Sequence, residues 1–160
     1  MLLKVPSEKQ VQNNGEPVVI RSVNWASDKY FWAIYLCLIV GFRVFMWMIG
    51  VENAGTAWTI TNITHTIITF FAFHWVKGTP FDYDQGRFDR HTFWEQIDFE
   101  VQNTWTRKVL IVIPIVLFMI TISHTKLSLT AFGLNIFASG VIVIAKVPFM
   151  HKVRILGINK

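Results

Sequence analysis

The chain has 160 residues, is 52% hydrophobic, contains seven Trp and fourteen Phe, and carries a formal net charge of +5. One small soluble core cannot bury that much apolar surface without exposing large patches, so a bilayer is the expected solvent. The single cysteine, Cys37, excludes an intramolecular disulfide, and no basic stripe carries a recognition motif for nucleic acid, which is therefore not an expected partner.

The first stretch, MLLKVPSEKQVQNNGEP, has neither a long apolar region nor a small-residue cleavage site, so no removed signal peptide is expected. Residues 1–29 read as a cytosolic N-terminal segment. Four stretches, 31–50, 58–76, 109–123 and 127–145, approach the roughly 18–20 apolar residues that a membrane-crossing helix needs. They predict an all-α membrane protein with four transmembrane helices over 30–146, a cytosolic loop at 77–108 and a cytosolic tail at 147–160. Pro114 inside the third stretch is compatible with a span, because neighbouring helices can satisfy the backbone groups it frees.

Two features inside the spans invite chemistry. Arg43 sits near the middle of the first, where a charge costs about 2.5–3.5 kcal/mol on insertion scales. No acidic residue lies in any predicted span, so Arg43 is a partner-interface candidate, with snorkelling or a water-filled crevice as alternatives. In the second span Thr59, Asn62, His65, Thr66 and Thr69 share one helical face. Such a stripe serves either interhelical hydrogen bonding or a groove for the polar head of a ligand.

Gly78 and Pro80 stop the second span. Beyond them Phe93, Ile97, Val101 and Trp105 recur at four-residue spacing, and Trp94 joins them within about 120° of arc. This spacing predicts an interfacial amphipathic helix between spans two and three. Glu95, Gln96 and Asp98 make its polar face acidic, an unusual choice for a helix drawn to anionic lipid. Trp94, Glu95 and Asp98 are accordingly partner-interface candidates, with a solvated face as the alternative.

Charge sets the orientation. With four crossings the basic residues fall before the first span, in the central loop and after the fourth, and only Lys126 lies in an opposite-side connection. Positive residues in short loops stay cytosolic, so both termini and the central loop are expected there. No metal, cofactor or enzymatic activity is expected: His65, His74, His91, His124 and His151 contain no pair at helical metal-site spacing, and no nucleophile elbow or phosphate loop is present. Asp82, Asp84 and Asp89 lack the glycine and terminal glutamate of a calcium loop.

FHWVKGTPF at 73–81, DQG at 84–86, WEQID at 94–98, TRKVLIVIPIVLF at 106–118 and HKVRILGINK at 151–160 resemble the Orm/ORMDL (orosomucoid-like) family of endoplasmic-reticulum membrane proteins, in the same order and at nearly the same spacing. The resemblance implies a multi-pass protein of that membrane, in contact with its lipids, with no catalytic activity. It also implies a regulatory subunit that binds serine palmitoyltransferase and inhibits sphingoid-base synthesis in response to ceramide. The family's ceramide head contact, an asparagine in the N-terminal segment, falls on Ser22 by counting back from Trp32, with Asn24 close by. On the residues alone, a small lipid-binding or transport bundle independent of that enzyme is the competing reading.

Overall fold

Four of the helices start the same way: a short polar side chain turns back onto an amide of the first turn that has no intrahelical acceptor. Asn53 accepts from the Thr56 N–H, Thr92 from Glu95, Thr104 from Arg107 and Ser128 from Ala131. The computed structural model describes residues 11–13, 16–18, 29–78, 89–125 and 128–154.

Among the described residues the architecture is helical apart from a small antiparallel hairpin, β1 (Val11–Asn13) with β2 (Glu16–Val18). Helix α1 spans Lys29–Met48. Helix α2 spans Ala54–Phe70 and continues through one π-helical turn, Phe71–Trp75. A single turn, α3 (Phe93–Gln96), runs into a 3-10 turn, Ile97–Glu100, and is followed by α4 (Trp105–His124) and α5 (Leu129–Lys146). Among the described residues three helices, Tyr30–Met48, α4 and α5, are long and apolar enough to cross a membrane.

Helix α2 packs against α1, α4 and α5, and its polar stripe decides how. The Asn62 amide donates to Asn135 Oδ1 at 2.8 Å and to Ser139 Oγ at 3.1 Å, while Asn135 donates to Thr59 Oγ1 at 3.0 Å. This amide clasp ties α2 to α5 with both asparagines fully buried. On the other side Tyr35 Oη lies 2.7 Å from His65 Nε2 and ties α1 to α2. The stripe is thus internal, as interhelical bonding requires.

The first turns of α2 meet the last turns of α4. A Cβ on Gly55 would lie 2.7 Å from the His124 carbonyl oxygen, and Trp58 stacks on the His124 ring at 6.1 Å. At the opposite end Phe73 packs with Leu110 of α4, and with Trp94 and Ile97 of the loop. Helices α2 and α4 are therefore antiparallel and lie alongside one another.

The expected amphipathic helix between spans two and three does not form as one element. After Gln96 the chain passes through Asp98 (φ 54°) and Glu100 (φ 67°), a left-handed region that a right-handed helix excludes. The cause lies in the backbone acceptors. The Arg107 guanidinium takes the carbonyls of Ile97 (3.0 Å) and Glu95 (3.3 Å), and the Val101 N–H turns to the Asp98 carbonyl instead. Of the four-residue repeat, Ile97 and Phe93 pack into the compact loop, whereas Trp105 is 68% exposed.

The close approach at Gly55 gives a direct test. Gly55→Ala should lower stability in detergent by about 1–3 kcal/mol through overpacking against backbone. Gly41→Ala, where nothing lies within 4 Å, should leave the unfolding midpoint unchanged or raise it. Thermal unfolding followed by circular dichroism reads both, and equal midpoints would contradict the packing described.

Candidate functional site

The end of the bundle where α2 and α5 stop and α4 starts holds a dense set of charged and aromatic side chains. Pro114 has no N–H to offer the carbonyl of Leu110 one turn earlier, so that acceptor is left free inside α4. Lys146, the last residue of α5, fills the vacancy: its Nζ donates to the Leu110 oxygen at 2.8 Å, and the residue is only 1% exposed. The same ammonium stands 5.5 Å from the Phe73 ring centroid and 5.7 Å from that of Trp94, a cation–π arrangement that gains strength where water is excluded.

Trp94 also lies under Arg107, whose Cζ is 5.0 Å from the ring centroid. Arg107 is 2% exposed and is held by the two loop carbonyls and by Gln102 Oε1 at 3.3 Å. The Gln96 amide donates to the carbonyls of Gly78 (2.9 Å) and His91 (3.0 Å), closing the loop entry onto its exit. Each of these polar groups satisfies backbone that irregular structure would otherwise leave orphaned.

The C-terminal strand of chain after α5 is strapped over this layer. Arg154 donates to both carboxylate oxygens of Glu95, at 2.9 Å through Nη2, and Glu95 also accepts the Thr92 N–H at 2.8 Å in a capping box. Lys152 Nζ meets Glu100 at 2.6 Å. Asp98, Glu100 and Lys152 are the non-glycine residues with positive φ among the described residues, and two of these three form that ion pair. Backbone strain of this kind persists only where surrounding contacts over-determine it. Burial pulls the Glu95 carboxyl upward, but the Arg154 guanidinium and the Thr92 N–H outweigh it and hold it down to about 2. The Glu100 carboxyl is likewise held down by Lys152 against the pull of burial. Beside the Glu95–Arg154 pair lies a cavity of about 220 Å³ walled by Phe70, Trp75, Ala145, Met150 and Val153.

The residues singled out from sequence distribute unevenly over this geometry. Trp94, Glu95 and Asp98 come together in the layer, yet they are 3%, 3% and 4% exposed, so they do not form an open acidic docking face. Glu95 is turned inward by Arg154, and Asp98 keeps one buried carboxylate oxygen with no hydrogen-bond partner among the described residues. Asn62, His65, Thr66 and Thr69 are buried in the helix interior, remote in sequence from the loop. Arg43 stands at the other end, its Cζ 5.5 Å from the Trp58 ring centroid. Ser22 and Asn24 lie outside the described residues.

Sequence reasoning counted Arg107, Lys146 and Arg154 as topological charges and missed their internal roles. Two signals were available: the T-x-x-E capping box at Thr92–Glu95, and a proline in one apolar helix facing a lysine at the end of another.

Glu95 carries a pH dependence whose sign is fixed by its depressed value. Its contribution is fully present above about 4.5 and is lost as pH falls toward about 2. Arg154→Gln should therefore cost about 1.5–3 kcal/mol at neutral pH, and the gap to the parent should close as the carboxyl protonates. Urea unfolding in detergent across that range measures it; a gap that persists at the acid end would separate Arg154 from Glu95.

Comparison with known proteins places this arrangement in a family. The model of the ORMDL family matches residues 21–154. A protein of Schizosaccharomyces pombe is 41% identical over 137 residues, covering 86% of this chain and 74% of that protein. Protein ORM2 of Saccharomyces cerevisiae is 37% identical over 145 residues, covering 90% of this chain and 67% of that protein. ORM1-like protein 3 of Mus musculus is 40% identical over 135 residues, covering 84% and 88%. None of these relatives is named for a catalytic activity. With the matched region taking in every helix described, the chain belongs to the ORMDL family.

Proposed function

We propose that this protein is a regulatory subunit of serine palmitoyltransferase, inhibiting sphingoid-base synthesis in response to ceramide in the endoplasmic-reticulum membrane. The observation that carries the reading is family membership over residues 21–154, joined to the function that the family resemblance implies. The buried Asn62, Asn135, Lys146 and Arg107 bond one another or the backbone, which supports a binding and scaffolding role.

In this reading the chain crosses the membrane four times, with both termini and the central loop cytosolic. Helices α1, α4 and α5 are long and apolar enough to cross alone. Support for α2 as the remaining crossing comes from its packing, because it meets α4 at both ends and must cover the depth that α4 covers. The cap of loop and tail then faces the cytosol, where Lys77, Arg90, Lys108, Lys152 and Arg154 obey the preference of basic residues for that side.

The layer around Trp94 suggests how regulation is transmitted. Trp94, Glu95 and Asp98 act from within, fixing the shape of the loop and of the strapped tail that a cytosolic partner would meet. Helix α1 leaves Ile34, Leu38, Val40 and Val44 exposed, an apolar flank for lipid or for a partner's membrane helix. Ceramide, two hydrocarbon chains under an amide and hydroxyl head, is assigned to the N-terminal segment through Ser22 and Asn24, whose side chains can bond such a head. A ligand alters activity only by differential affinity for two states.

Capture of the tagged full chain in mild detergent should co-purify the palmitoyltransferase subunits, and added ceramide should lower the activity of the reconstituted complex. Ser22→Ala with Asn24→Ala should leave the complex assembled and shift the ceramide titration to higher concentration, by about two- to twelvefold for a loss near 0.5–1.5 kcal/mol. Failure to co-purify the enzyme would refute the assignment. An unshifted titration would move the head contact elsewhere.

A further inference from the structure

Arg43 is a charged side chain for which neither the bundle nor the family reading accounts. It lies in α1, five residues before the helix ends at Met48, which is about 7.5 Å of rise at 1.5 Å per residue. Its guanidinium offers five N–H donors, and among the described residues none of them reaches an acceptor; Nε is buried without a partner. Glu52, in the connection to α2, makes no ion pair with it. What holds the group is the Trp58 ring, 5.5 Å from Cζ, and Trp58 is itself stacked on His124 at an interplanar angle of 12°. The cation is thus held on an aromatic platform with its donors unused among the described residues.

The surroundings say what those donors meet. Arg43, Val44, Trp47 and Trp58 line an open groove of about 440 Å³, and Trp47 is 66% exposed. Val40, Val44 and Met48 continue the apolar surface along α1. Tryptophan on an otherwise apolar flank is the side chain that settles at head-group depth, and a long arginine one to two turns from a helix end reaches the same layer. The anion present at that depth in every bilayer is the phosphodiester of a glycerophospholipid, and a planar guanidinium pairs with phosphate oxygens in bidentate fashion. A carboxylate from another protein would have to be brought there, against a flank whose remaining side chains suit acyl chains.

We propose that Arg43, seated on Trp58 and flanked by Trp47, binds the phosphodiester of a membrane glycerophospholipid at the Met48 end of α1, with an acyl chain lying along Val40 and Val44. The site is separate from the cap of loop and tail and does not depend on the palmitoyltransferase reading.

The test uses the purified full chain in detergent micelles and native mass spectrometry. Dioleoyl phosphatidylglycerol, dioleoyl phosphatidylcholine and dioleoyl glycerol are added in turn. The parent protein should retain both phospholipids at least about tenfold more tightly than the diacylglycerol, a difference near 1.4 kcal/mol. Arg43→Gln should erase that preference, and Arg43→Lys, which keeps the charge but loses the fork, should fall between. Inorganic phosphate should fail to displace the lipid; displacement would mark a site for a free anion and overturn the lipid assignment. Equal retention of phospholipid and diacylglycerol by the parent protein would refute the proposal without reference to any variant. Unchanged phospholipid preference in a folded Arg43→Gln protein, with loss of co-purifying membrane proteins, would assign the guanidinium to a partner's carboxylate instead.

Discussion

The bond from Lys146 to the Leu110 carbonyl orders the rest of this molecule. A proline one turn on deprives that carbonyl of its ordinary donor, and a free acceptor in an apolar helix is costly until something fills it. The filler is the terminal side chain of α5, so the last turn of α5 is pinned to the body of α4. Once the ammonium is there, two aromatic faces, Phe73 from the end of α2 and Trp94 from the loop, gather around it. Trp94 then lies between Lys146 and Arg107 in sequence-distant contact, and Arg107 claims the loop carbonyls that would otherwise continue a helix. The tail is strapped over this layer through Arg154 and Lys152. One missing N–H thereby propagates into the shape of the whole loop-covered end.

The two ends of the bundle are held by different physics. At the loop-covered end, buried cations are shared between carbonyls and rings, and ion pairs lock strained backbone in place. At the other end a glycine allows backbone to meet backbone, and an aromatic stack carries Arg43. Between them the Asn62–Asn135 clasp fixes the rotation of α2 against α5. Interhelical amide bonds of this kind are worth only about 0.6–2 kcal/mol each, but they set register, because a small rotation of either helix would leave both amides unpaired.

Much of this was legible from sequence, for reasons that can be stated. Long apolar runs mark helices because length and hydropathy are local properties, and the polar stripe of α2 follows from a 3.6-residue period. The ordered motifs from FHWVKGTPF to HKVRILGINK pointed to the family that the comparison established. The spacing of Phe93, Ile97, Val101 and Trp105 misled because periodicity is silent on which donors will claim the backbone: Ile97 goes inward, whereas Trp105 is left 68% exposed. The acidic residues of WEQID were read as a presented surface for the same reason: the guanidinium that turns Glu95 inward lies 59 residues away. A buried Lys or Arg is invisible to a charge count, which treats all cations at a membrane edge as equivalent.

A double-mutant cycle on Lys146 and Pro114 addresses the organising bond itself. In the parent protein Lys146→Met leaves the Leu110 carbonyl buried and unpaired, at a cost of about 1–3 kcal/mol. In a Pro114→Ala background residue 114 regains its N–H, the carbonyl recovers a helical donor, and the same Lys146→Met change should cost less, giving a coupling of at least about 0.5–1 kcal/mol. Unfolding in detergent, followed by circular dichroism on the four proteins of the cycle, supplies the numbers. An equal cost of Lys146→Met in both backgrounds would mean that Lys146 does not serve the carbonyl that Pro114 frees, and the ordering of loop and tail would need another origin.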